Sequence, residues 1–163
     1  MTAHRYVVGV DPGAKTTGIV FRRGYELLGY WLVDMATVGG VPDCGRVVDA
    51  VARVVEPAWD TLVAVEDVKA PNPHLGVTNP AGIIATARLL GWIEHWAATR
   101  RANLIVVPPR GHGTGPLAAY PAQLVGAREK TGTGQLRHCR SAWDISYGGE
   151  KLWRLQVNRK RVT

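Results

Sequence analysis

The chain has 163 residues, of which 46% are hydrophobic and 20% charged, with a formal net charge of +7. That length suits one compact domain with its own core and leaves a second little room. Its apolar runs are too short and interrupted for a membrane span, while a sequence pI near 9.8 points to a polyanionic partner without saying which.

Arg5–Val10 reads as a strand that runs at once into Asp11, which is not the pattern of a secretory signal, so a cytoplasmic location is expected. Asp11-Pro12-Gly13 makes a turn into a second strand, Thr17–Arg22. Gly24 then turns the chain into a third run with β character, Tyr25–Val33. Val47, Val48, Val51, Val54 and Val55 recur at helical spacing and Pro57 closes that helix. Thr61–Asp67 is an apolar strand ending in two acids. Asn79-Pro80 supplies an N-cap and first helical position for a helix reaching about Ala98. Leu104–Val107 is a short strand stopped by two prolines, and Arg110–Pro121 reads as a loop. Helices are expected around Pro121–Glu129 and Gln135–Tyr147, followed by a basic tail from Lys151. The order β-β-β-α-β-α-β-α-α predicts an α/β fold: one mixed sheet of five strands with helices on its faces. Residues 1–150 would be the domain and 151–163 its tail. Cys44 and Cys139 lack metal-type spacing and are expected as reduced thiols.

Three acids stand where this order of elements can bring them together. Asp11 ends the first strand, Glu66 lies near the end of the fourth, and Asp144 is well inside the last helix. Clustered carboxylates repel one another unless a cation joins them. Oxygen ligands suit Mg²⁺ or Mn²⁺, and two such ions about 3.5–4 Å apart activate a water and stabilise the leaving oxygen of a phosphodiester. Taken singly, each acid is equally at home in a turn, at a strand end or on a solvated helix face. Arg137, Arg140 and Ser141 share the helical face of Asp144, either as phosphate-binding groups or, for Arg140, as an intrahelical ion pair.

Three segments carry a family resemblance. Val7-Val8-Gly9-Val10-Asp11-Pro12-Gly13-Ala14-Lys15-Thr16-Thr17-Gly18 resembles the opening motif of RuvC-type Holliday-junction resolvases, within the RNase H-like superfamily. Val65-Glu66-Asp67-Val68 is similar to their second acidic strand. Leu136–Asp144 resembles their last acidic helix, especially as it appears in phage-encoded RuvC-like proteins, for which the compartment would be the host cytoplasm. The resemblance implies an endodeoxyribonuclease that resolves Holliday junctions by two-metal hydrolysis, with Asp11, Glu66 and Asp144 as catalytic metal ligands. It implies Mg²⁺, with Mn²⁺ as a substitute, and a homodimer on branched, four-way DNA.

The family's fourth ligand, an Asp or His three residues before the last Asp, is here Ser141, which departs from the pattern. His138 and Asp67 are accessory candidates, although a regular helix sets His138 about 120° away from Asp144. Expected DNA contacts are Lys15, Lys69, His74, Arg110, Arg137 and Arg140. The homodimer contact would use the Asn79–Ala98 helix, whose small residues Ala81, Gly82, Ala85 and Gly91 alternate with Ile and Leu.

Three rivals stay open. Another RNase H-like nuclease, acting on flaps, forks or RNA–DNA hybrids, would need the same carboxylates. A non-catalytic DNA-binding relative is favoured by Ser141. An ATP-binding protein of the actin or sugar-kinase type also carries a strand Asp before a Gly-containing turn, but needs a longer chain.

Overall fold

The computed structural model describes residues 5–39, 41–56, 60–70, 79–127, 129 and 134–160. Strands β1 (Tyr6–Asp11), β2 (Thr16–Arg23) and β3 (Glu26–Asp34) form an antiparallel meander, and β4 (Thr37–Val38) and β5 (Val41–Pro42) make a separate small hairpin. Helix α1 (Cys44–Val55), strand β6 (Thr61–Glu66), helix α2 (Pro80–Arg100), strand β7 (Asn103–Val107) and helix α3 (Arg137–Lys160) follow. The main sheet has the order β3-β2-β1-β6-β7, with β6 parallel to both β1 and β7. It is therefore the expected mixed sheet of five strands. Among the described residues no helix is long and apolar enough to cross a membrane.

Alternation along the central strands sorts the core into two layers. Val8, Val10, Val63 and Val65 face α1 and α2, meeting Val47, Val51, Leu89 and Ile93. Val7, Leu62 and Ala64 face the other way, onto Ile145 of α3. Asn79 caps α2, its side chain accepting from the Gly82 N–H at 2.9 Å, and Pro80 takes the first helical position.

Two glycines set how closely α3 lies on the sheet. A Cβ on Gly9 would stand 1.9 Å from the Ala142 carbonyl oxygen, and one on Gly18 would stand 2.3 Å from the backbone of His138. Any side chain at either place would lift the helix away.

The chain departs from expectation in three places. Among the described residues of 121–129, the expected helix is replaced by a short 3-10 turn, Ala122–Leu124. The β4–β5 hairpin was not foreseen. Residues 151–160 are no separate tail but continue α3, and Leu152 and Trp153 pack against its core layer.

Candidate active site

Residues 7, 9 and 11 of β1 and residues 62, 64 and 66 of β6 share the face that carries α3. Register pairs Val10 with Val65, so Asp11 and Glu66 follow side by side at the carboxyl ends of adjacent parallel strands. Each carboxylate meets an imidazole. Nδ1 of His138, on the first turn of α3, lies 2.8 Å from Oδ2 of Asp11. Nδ1 of His112, in the loop after β7, lies 2.6 Å from Oε1 of Glu66. An ionised carboxylate only accepts, so in both contacts the ring nitrogen donates.

These contacts shape the electrostatics. Burial pushes the Glu66 carboxyl above its ordinary value, against the hydrogen bond from His112, and the Asp11 charge adds to the rise. The hydrogen bond to Asp11 raises the His138 imidazole, with burial opposing it. Asp11, Glu66, His112, His138, Ser141 and Arg137 line one open cleft of about 520 Å³, with Lys69 and Asp67 also on its wall.

Asp144 does not line this cleft. Its Oδ2 accepts from the Gly113 N–H at 2.8 Å and from the Tyr120 hydroxyl at 2.9 Å. Helix geometry explains the misplacement: His138 and Ser141 face the two strand ends, and three residues beyond Ser141 the helix has turned about 120° from His138. The expected cluster of three carboxylates is therefore not assembled. Among the described residues, no three His, Cys, Asp or Glu side chains are grouped so as to hold a metal ion as they stand.

Arg140 is also elsewhere than expected. It is fully buried, its guanidinium donating to both carboxylate oxygens of Glu129 at 2.7 and 3.1 Å and to the Leu124 carbonyl at 2.8 Å. It ties α3 to the preceding segment and has no face left for DNA. Arg137 is exposed and on the cleft wall, as is Lys69, whereas Lys15 and Arg110 are exposed outside its lining. Asp67 is exposed, its Oδ1 accepting from the Val68 N–H at 2.7 Å. His74 lies outside the described residues. His112 is the cleft residue that the sequence did not single out: it falls within the Arg110–Pro121 loop, and an irregular loop has no period from which its direction can be read.

No family model matches the sequence, and no curated protein matches it. Solved structures do. Over 92% of this chain and 96% of that one, the structure superposes on T. thermophilus RuvC in complex with Holliday junction substrate, with a TM-score of 0.64 and 17% identity. The fold is RuvC-like. A second Thermus thermophilus RuvC structure gives a TM-score of 0.56 and 18% identity over 93% of this chain and 96% of that one. At such identities the likeness to RuvC establishes the architecture and assigns no residue a role.

The chemistry of the donor set fits a divalent cation in the RuvC-like cleft. Two carboxylates rise from neighbouring strand ends, each with an imidazole in contact, and first-row divalent ions take both donor types.

Proposed function

We propose that this protein is a metal-dependent endonuclease that cleaves branched DNA, resolving Holliday junctions as a homodimer. The observation that carries the reading is the paired strand-end carboxylates, Asp11 and Glu66, in a cleft walled by Lys69 and Arg137, on a fold shared with RuvC over 92% of the chain. The RuvC structure in complex with Holliday junction substrate supplies the substrate class.

Asp11 and Glu66 would hold the ion, with His138 beside them. A bound divalent cation supplies Lewis-acid activation of water and charge stabilisation at the leaving oxygen. The chain's own part is positional and electrostatic. Lys69 and Arg137 draw the phosphodiester onto the cleft wall. The apolar layers behind β1 and β6 hold both carboxylates on rigid strands, so that their spacing is set before substrate arrives. Asp144 is left out of the ligand set.

Labelled four-way junction, duplex, flap and RNA–DNA hybrid, each incubated with Mg²⁺, Mn²⁺ or EDTA, test the proposal. Symmetric nicking of the junction with metal and none with EDTA is expected. Cleavage confined to hybrid or flap would reassign the substrate. A second reading, a DNA-binding relative without catalysis, is favoured by the absence of Asp144 from the cleft. It requires junction binding with no cleavage under any of the three conditions.

A further inference from the structure

The loop after β7 is fastened to α3 with a specificity that an idle connection does not need. Gly113 has φ +75°, and a Cβ there would lie 2.9 Å from the Ser141 nitrogen and 3.0 Å from the Arg137 carbonyl oxygen. Only glycine meets both demands. The Gly113 N–H donates to Asp144 Oδ2, the Tyr120 hydroxyl donates to the same oxygen, and the Gly115 N–H donates to the Tyr120 oxygen at 3.0 Å. The residue delivered by this fastening is His112, one place before Gly113, with its ring on Glu66.

We propose that His112 is a ligand of the cation bound at Asp11 and Glu66, and that Asp144 is the positioning residue that holds its loop. The site is then a mixed imidazole–carboxylate centre that takes a first-row transition cation such as Mn²⁺ in preference to Mg²⁺. This rests on the metal-dependent reading above and deepens it.

Spacing supports the assignment. Two donors bound at roughly 2.1 Å and at right angles on one ion stand roughly 3 Å apart. His112 Nδ1 and Glu66 Oε1 are 2.6 Å apart, and His138 Nδ1 and Asp11 Oδ2 are 2.8 Å apart; a cation bound at such a pair would displace the proton of the hydrogen bond to solvent and take both atoms as ligands. Both carboxylates rise from neighbouring parallel strand ends, and Asp11 stands close enough to Glu66 to raise its carboxyl. Replacing oxygen donors by imidazole moves preference away from Mg²⁺, which favours oxygen and keeps its waters, toward transition ions. Asp144 contributes through backbone: without its carboxylate the Gly113 N–H and Tyr120 hydroxyl lose their shared acceptor, and the loop bearing His112 loses its anchor.

The test reads the metal and not cleavage. Calorimetric titration of the full chain with Mn²⁺ and with Mg²⁺ should give tighter Mn²⁺ binding. Pulsed electron paramagnetic resonance of the Mn²⁺ complex should show coupling to imidazole nitrogen, and the coupling should change isotope when the protein is grown on ¹⁵N-histidine. His112→Gln should weaken Mn²⁺ binding and reduce the nitrogen coupling. Asp144→Ala, with both carboxylates and both histidines present, should weaken Mn²⁺ binding by roughly 10- to 100-fold, as an outer group does. The ¹⁵N experiment uses the unsubstituted chain, so a variant that misfolds does not remove the test. Nitrogen coupling absent from the unsubstituted protein, or unchanged in a folded His112→Gln protein, overturns the proposal. Nitrogen-ligated Mn²⁺ in a protein that cuts no DNA would uphold this site and overturn the nuclease reading. Cleavage with Mg²⁺ and no nitrogen ligation would do the reverse.

Discussion

Asp11 and Glu66 face one cleft from adjacent strands, and on the proposed reading each is indispensable. Asp11→Asn and Glu66→Gln should each lower junction cleavage by well over the roughly 10- to 100-fold typical of an outer-shell group. Junction affinity, measured by gel shift, should hold or rise as negative charge leaves the phosphate path. Full activity in either variant would remove that acid from the site. Arg140 belongs to a different account. It is wholly buried against Glu129, so Arg140→Ala should destabilise the fold by about 3–5 kcal/mol in chemical denaturation and leave DNA affinity of the folded protein unchanged. The same pair gives a pH signature. The hydrogen bond from Arg140 holds the Glu129 carboxyl below its ordinary value of 4.5. A depressed folded-state pKa contributes stability that is fully present above that ordinary value and lost as pH falls through the depressed one. Thermal melts should therefore show an acid-side loss of stability that is smaller in Glu129→Gln, and identical acid profiles would detach the pair from it. The strand-end positions of Asp11 and Glu66 were legible in the sequence, because an acid closing an apolar run announces its place. The helix residue was not: Asp144 carries the acid, but the turn of α3 that faces the cleft is the one bearing His138 and Ser141, set by how Gly9 and Gly18 seat the helix.

At the scale of elements, the long periodic segments were readable and the short ones were not. Strands β1, β2, β3, β6 and β7 and helices α1 and α2 lie within a few residues of their expected bounds, since alternation or helical spacing ran through each. The two-residue strands β4 and β5 are too short to carry a period. Where a helix was expected around Pro121–Glu129, residues Ala122–Leu124 form a 3-10 turn, with Leu124 buried and its carbonyl accepting from Arg140. Helix α3 runs past its expected end at Tyr147, through Gly148 and Gly149, to Lys160. In the fold, a Cβ on Gly149 would stand 2.3 Å from the Ala64 side chain, so the glycine there serves close packing on β6. A consequence follows for the basic C-terminal residues. Ending the chain after Glu150 removes Leu152 and Trp153 from the core layer under α3, so the truncated protein should melt at lower temperature, by about 2 kcal/mol or more of stability. A melt unchanged from that of the full chain would make residues 151–160 a dispensable tail.

Across the whole molecule, charge and surface both bear on the proposed assembly. The net charge of +7 gives attraction to any DNA, which should weaken steeply as salt rises. Shape recognition needs a second cleft at fixed distance, and α2 offers a surface for that. Ile84 and Trp92 are 53% and 56% exposed on it, with Ala87 and Gly91 exposed between them, while Leu89, Ile93 and Trp96 are buried beneath. An isologous contact through that face would cover the apolar groups and set two clefts about a two-fold axis, matching the symmetry of a four-way junction. The most direct measurement is therefore cleavage of a labelled four-way junction, beside duplex and hybrid of the same sequence, with Mn²⁺, Mg²⁺ and EDTA and with the mass of the protein in solution recorded. The account predicts a dimer that nicks the junction symmetrically, depends on metal and leaves duplex intact. A monomer that binds junction, duplex and hybrid alike and cuts none of them would contradict it.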